Sequence, residues 1–272
     1  MKKLFYTIWI SIYPVIIYTS IQFILLMIVR VLAVGYMELT GVYIDAARLV
    51  SDNGLIFIAV VALISYVPLF LFYYLDREKV RLYFIKNART FDYIMAVLGG
   101  VGIAIILNLI ITISGISNFD TQFQSVNETL QSPPVFVKVI AAGIIVPILE
   151  ELIFRGLIFN RIRNQYNALV AMFISSIMFG IYHFNLTQGI YAAILGLCMV
   201  YVYNKVRTLV VPIMIHMSAN ISVIILGEIS AGTVESSGNE TILGIFTIIL
   251  ILVSLIFAIL GIMYFKSRKV ME

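Results

Sequence analysis

Eight apolar runs of helix length, separated by polar connectors, set the pattern of this chain: residues 4–34, 55–75, 93–113, 135–159, 168–184, 189–203, 209–226 and 242–265. About 20 apolar residues cross a bilayer as a helix. The fifth and sixth runs are short for independent spans and read equally well as a buried re-entrant hairpin. The opening MKKLF resembles the start of a signal peptide. Its apolar run continues to about Val34 without a small-residue cleavage site, which predicts an uncleaved spanning helix. The pattern predicts an all-α polytopic membrane bundle of about eight transmembrane helices, in one integral membrane domain, 1–272. No internal repeat, low-complexity tract or linker interrupts it.

Composition narrows the class. With 62% hydrophobic and 12% charged residues, an ordinary soluble domain is excluded. Of the 18 Lys and Arg, Arg155 falls inside an apolar run. Fourteen others fall on one side of an eight-span map and three (Arg30, Arg48, Lys138) on the other. That positive-inside bias predicts cytoplasmic termini. Connectors 114–134 and 228–240 then face the opposite side. A re-entrant hairpin gives the same split. The net charge of +4 is distributed over membrane flanks, so it carries no nucleic-acid signal. The single Cys198 excludes an intrachain disulfide and reads as a small packing residue.

Against this background, the fourth run holds an anomaly: IIVPILEELIFRGLIF carries Glu150, Glu151 and Arg155. One charge at the centre of a membrane helix costs roughly 2.5–3.5 kcal/mol on insertion scales, so intramembrane ionisable residues read as functional by default. Helical neighbours differ by about 100°, so the two glutamates point different ways. Glu151 and Arg155 share a face at i,i+4 and form a paired structural unit. Glu150 is left as the free carboxylate. Pro147 predicts a kink one turn earlier. Both histidines of the chain also lie in apolar runs. His183 shares a helical stripe with Ser176 and Phe179, and His216 shares a face with Asn220. Interhelical glue is the plain reading of a Glu–Arg pair, and transporters also concentrate Glu and His at the midplane. The concentration of the deep acids and both histidines within about 70 residues sets this chain apart from the plain reading.

The three pieces, EELIFR (EExxxR), FGIYH (FxxxH) and HMSAN (HxxxN), occur in that order on successive apolar runs. They resemble the CPBP family of CAAX proteases and bacteriocin-processing enzymes, also called Abi or type II CAAX prenyl endopeptidase-like proteins. The resemblance covers roughly residues 135–226, about a third of the chain. It implies an all-helical intramembrane endopeptidase with a catalytic core in 135–226. Its site residues carry over to Glu150, His183, His216 and Asn220, with Glu151 and Arg155 completing the first motif.

The residues themselves fit hydrolysis. A buried carboxylate, Glu150, helped by His183, can activate a water, while His216 and Asn220 donate to the developing oxyanion. Glu150, His183 and His216 are also zinc-ligand types, with water as a fourth ligand, although neither histidine belongs to an HExxH segment. A metal-independent and a zinc-dependent site therefore both stand at this level. The expected partners are the lipid bilayer and a membrane-associated peptide or protein substrate, such as a leader, pheromone or bacteriocin precursor. The expected location is a bacterial cell membrane. A non-enzymatic scaffold, bacteriocin-immunity or regulatory protein is the reading from another class. The sequence leaves oligomeric state and substrate identity open.

Overall fold

A computed structural model describes residues 2–80, 88–236 and 240–269. Among them there are ten helices, one 3-10 turn at Ile116–Asn118 and no strand. The helices are α1 (Lys2–Thr40), α2 (Ala46–Asp52), α3 (Gly54–Val80), α4 (Thr90–Ser114), α5 (Thr121–Gln131), α6 (135–165), α7 (Ala168–Ile181), α8 (Leu186–Val206), α9 (Val210–Ser236) and α10 (Glu240–Ser267). Each apolar run has become a helix. Among the described residues, six helices are long and apolar enough to cross a membrane: α1, α3, α4, α8, α9 and α10. The protein is a multi-pass membrane protein with an all-α fold.

Several boundaries differ from the pattern. The sixth run grows to 21 residues in α8 and is long enough to span, because Asn185 caps its start by accepting from the Gln188 N–H. The fifth is a 14-residue helix that ends at Ile181. His183 therefore lies in the turn beyond the helix, its N–H bonded to the Gly180 carbonyl. Connector 114–134 contains the polar helix α5, and α9 extends through Glu228 to Ser236. Residues 237–239 of the expected 228–240 connector lie outside the described residues.

Burial is inverted relative to a water-soluble bundle. α1 and α10 expose Phe23, Val31, Leu32, Leu252 and Ile256, surfaces suited to lipid. α6 lies at the centre and is buried on every side from Leu149 to Asn160. It is surrounded by α1, α3, α7, α8 and α9. Small residues allow the remaining helices to approach. A Cβ on Gly102 of α4 would stand 2.4 Å from the Ala258 nitrogen of α10, and one on Gly100 would stand 2.5 Å from the Ile215 carbonyl of α9. α4 is thus held between α9 and α10 by backbone proximity, the usual means of helix association in lipid.

α6 is where the pattern and the structure differ most. Instead of a simple proline kink, the helix widens twice into π turns, at Ala141–Ile145 and at Leu152–Phe159. Pro147 sits just after the first. Wide turns leave carbonyls without their usual helical donors, and side chains from other helices supply replacements. Asn220 Nδ2 donates to Ala142 O (2.9 Å), Tyr66 Oη to Ile145 O (2.5 Å) and Ser175 Oγ to Phe154 O (2.9 Å). Asn160 Nδ2 closes the second widening from within the helix, donating to Arg155 O and Gly156 O. Two of these donors, Tyr66 and Asn220, hold α6 against α3 and α9 in the two turns before Glu150.

At the end remote from the basic face, one carboxylate ties two helix starts together. Asp120 caps α5 by accepting from the Phe123 N–H (3.0 Å) and reaches the Thr187 N–H in the first turn of α8 (2.8 Å). The Thr187 bond, reinforced by Phe123, holds the Asp120 carboxyl below its usual range. A lowered folded-state pKa contributes stability that is complete above the unfolded value, about 3.9, and is lost as pH falls through the folded value. Thermal unfolding of detergent-solubilised protein is therefore expected to show a decrease in melting temperature with acidification in this range. Asp120→Ala should lower the melting temperature at neutral pH and remove that part of the acid dependence.

Candidate active site

α6 presents Glu150, Glu151 and Arg155 at the junction between its central α segment and the second π turn. Their exposures are 7%, 0% and 0%. The predicted Glu151–Arg155 pair is formed, with Arg155 Nη1 2.7 Å from Glu151 Oε1. The guanidinium also donates from Nη2 to the Gly196 carbonyl of α8 (2.9 Å) and lies over the Phe179 ring of α7, 4.7 Å from its centroid. Gly196 is required there. A Cβ would meet both Arg155 Nη2 and Phe179 Cδ1 at 3.0 Å.

The same Glu151 oxygen accepts from His216 Nδ1 at 2.9 Å. That bond places a proton on Nδ1 and turns Nε2 toward Glu150, whose Oε2 stands 3.6 Å away. The two glutamates thus do different things around one imidazole. Glu151, neutralised by Arg155, orients the ring from behind, as outer-shell carboxylates orient functional histidines. Glu150 faces the opposite ring nitrogen. Their separation around the helix axis, expected from the sequence, is what allows both contacts.

His183 approaches from the turn after α7. Its Nδ1 pairs with the Phe179 carbonyl at 2.9 Å, so it too is a proton donor at Nδ1 and leaves Nε2 as the outward nitrogen. The Phe179 ring meets His183 and His216 edge-on at 5.1 and 5.5 Å. It thereby packs against three of the polar side chains. His183 lies within electrostatic reach of Glu150. Asn220, one turn beyond His216 on α9, uses one amide hydrogen on the Ala142 carbonyl, two turns before Glu150 on α6. All six residues singled out in the sequence occupy one region between α6, α7 and α9.

Among the described residues, no group of three or more His, Cys, Asp and Glu side chains is placed to hold a metal ion, and Glu150, His183 and His216 do not form one. His183 lies in the turn after Ile181, with its Nδ1 on the Phe179 carbonyl.

Sequence reasoning passed over three tyrosines. Tyr18 of α1, Tyr66 of α3 and Tyr182 beyond α7 all lie within electrostatic range of Glu150. Tyr182 had a signal, since it sits inside FGIYH immediately before His183. Tyr18 and Tyr66 had none: they are two of 16 tyrosines, far from the motifs in the chain and brought to the site only by packing.

Comparison with known proteins points to the same segment. Residues 132–222 match the type II CAAX prenyl endopeptidase Rce1-like family. Over 112 residues the chain is 32% identical to a Bacillus subtilis (strain 168) protein named "Putative membrane peptidase YdiL", covering 41% of this chain and 45% of that protein. Over 102 residues it is 31% identical to UPF0177 protein YxdF of Lactococcus lactis subsp. lactis (strain IL1403), covering 37% of this chain and 56% of that one. The matched part spans about half the length of these curated relatives. No solved structure matches the chain. The chain is a multi-pass membrane protein whose residues 132–222 are similar to the type II CAAX prenyl endopeptidase Rce1-like family.

Proposed function

We propose that this protein is an intramembrane endopeptidase that hydrolyses a peptide bond in a membrane-associated peptide or protein, using a water activated by Glu150. The observation that carries this reading is the buried chain Arg155–Glu151–His216–Glu150. It holds an oriented imidazole against a second, differently placed carboxylate. Such a chain exceeds the needs of charge balance, since Glu151 alone neutralises Arg155.

In this reading Glu150 takes a proton from water as the oxygen attacks the scissile carbonyl, with His183 Nε2 holding the same water. The carbonyl oxygen gains negative charge as the tetrahedral species forms. Asn220 has a second amide hydrogen available for it beyond the one given to Ala142. His216, with Nδ1–H already committed to Glu151, donates to the oxyanion only from a protonated Nε2. Glu151, bonded at Nδ1, holds the ring in the orientation that this donation needs. Collapse of the tetrahedral species transfers the proton held by Glu150 to the leaving amine. Each step uses groups of this chain and none is routed through a metal. Leaders, pheromones and bacteriocin precursors are the substrate class suited to a site enclosed by membrane helices.

The test is a comparison of membrane peptidomes between a wild-type strain and one carrying Glu150→Ala. Uncut precursors should accumulate in the variant and be cleaved by purified wild-type protein, with cleavage retained in a strong chelator. An unchanged peptidome at normal protein abundance would overturn the protease reading, and loss of cleavage in chelator would overturn the metal-free one.

A further inference from the structure

The second π turn of α6 ends on an amide set among apolar side chains. Asn160 is 2% exposed, and its neighbours Leu157, Ile158, Phe159 and Ile162 are wholly buried. An apolar side chain there would pack with them without the cost of desolvating an amide. The backbone shows what the amide does. The Asn160 N–H turns to the Leu157 carbonyl, three residues back. Its side chain supplies the two carbonyls that a regular turn would offer to that N–H, with Nδ2 3.0 Å from Gly156 O and 2.7 Å from Arg155 O. The reverse orientation would aim Oδ1 at two carbonyl oxygens, so these contacts fix the amide.

The same nitrogen reaches a second helix. Tyr203 Oη of α8 accepts from Nδ2 at 2.7 Å, and the Tyr203 ring packs edge-on against Phe159 at 5.7 Å. Tyr203 is as deeply buried as Asn160. Two amide hydrogens then serve three acceptors, one hydrogen being shared between the adjacent carbonyls. Tyr203 lies two helical turns beyond Gly196, which puts both on one face of α8. Gly196 is the residue whose carbonyl receives the Arg155 guanidinium at 2.9 Å. Arg155 is thus tied to α8 at both ends, by its side chain through Gly196 and by its carbonyl through Asn160 and Tyr203. From Arg155 the contacts run to Glu151 and on to His216.

We propose that Asn160 and Tyr203 are positioning residues: their latch to α8 fixes the second π turn, and with it the register of Arg155, Glu151 and His216 against Glu150. Neither touches the reacting atoms. In the endopeptidase reading, on which the catalytic consequence rests, they hold the His216 ring where the oxyanion forms. Without the amide, the Arg155 and Gly156 carbonyls lose their side-chain donor in the buried interior, and the turn regains donors by tightening toward an α-helix. A π turn holds about one residue more than an α turn, so tightening rotates one part of α6 relative to the other. The Arg155 guanidinium then leaves its line to Gly196 and Glu151.

The latch is read at His216, and no substrate is needed. The protein has two histidines, so isotope-labelled histidine in the full-length protein gives two sets of ring signals by NMR, assigned by the loss of one set in His183→Ala. Asn160→Ala removes the donor, and Tyr203→Phe keeps the ring and removes the acceptor. In both variants the Nδ1–H signal of His216, which reports its bond to Glu151, should shift or broaden while that of His183 stays in place. With a precursor from the peptidome comparison, kcat should fall about 10- to 100-fold in Asn160→Ala at unchanged KM, the scale of a displaced outer-shell group. Tyr203→Phe leaves the carbonyl bonds of Asn160 intact, so it tests the latch even where Asn160→Ala fails to accumulate. An unchanged His216 signal in folded Tyr203→Phe would overturn the proposal, as would an unchanged kcat in Asn160→Ala. Equal movement of both histidine signals would overturn it too, by showing loosened packing instead. The protease reading stands or falls separately, on the Glu150→Ala peptidome.

Discussion

Glu150→Gln is expected to lower the cleavage rate by about 100- to 10,000-fold, the range associated with loss of a positioned general base. Protein abundance in the membrane should stay near wild type. The amide is isosteric, and Glu150 makes no ion pair as short as those of its neighbours: its contact to His216 is 3.6 Å, against 2.9 and 2.7 Å at Glu151. Loss of activity with retained stability is therefore the specific expectation. The measurement is the turnover rate of a precursor found by the peptidome comparison, alongside a melting curve of the same preparation. His183→Ala should reduce the rate on a similar scale. The double variant should be little worse than either single one, because the two residues are proposed to serve one water. If either single variant keeps full biological activity at normal abundance, the protein acts as a scaffold, immunity or regulatory protein and not as a protease.

Arg155→Ala should give the opposite phenotype, a large loss of stability. Arg155 and Glu151 are both wholly buried, and removal of the guanidinium leaves Glu151 as a buried carboxylate without its cation. Removing one partner of a buried pair is strongly destabilising, by about 3–5 kcal/mol. The loss is compounded here because the same side chain donates to Gly196 and packs on Phe179. A marked fall in melting temperature and in membrane abundance is the expected result. Arg155→Met with Glu151→Leu removes both charges while keeping much of the volume, and should recover part of that stability. It should not recover cleavage, because His216 then has no carboxylate at Nδ1. Equal stability of the Arg155→Ala variant and wild type would show that Glu151 is not held as a buried anion.

These two expectations differ although the residues are five positions apart on one helix. The distinction was partly legible in the sequence. The i,i+4 spacing of Glu151 and Arg155 already paired them and left Glu150 facing elsewhere. Other features were not legible for identifiable reasons. The double role of Glu151, bonded to Arg155 and His216 through one oxygen, depends on α9 packing beside α6. The two π turns were hidden because the proline gave a sufficient local reason for a kink. The carbonyl caps that permit a widening instead come from Tyr66, Ser175 and Asn220, remote in the chain. Zinc remained open in the sequence because ligand type can be read from letters. Convergence of three donors cannot, and among the described residues no group of three or more such side chains is placed to hold a metal ion.

The sequence by itself determined that this chain is an all-helical membrane protein, because apolar length and the distribution of charge are local quantities that a bilayer reads directly. It also marked Glu150, Glu151, Arg155, His183, His216 and Asn220 as candidates for one site, through three ordered motifs that resemble a known family. Only the tertiary structure decided what those residues do to one another. Which nitrogen of His216 meets which glutamate, and which tyrosines stand near Glu150, follow from contacts between helices that are distant in sequence. Those contacts are formed by shape and hydrogen-bond satisfaction across the bundle interior, where no periodicity in the chain records them.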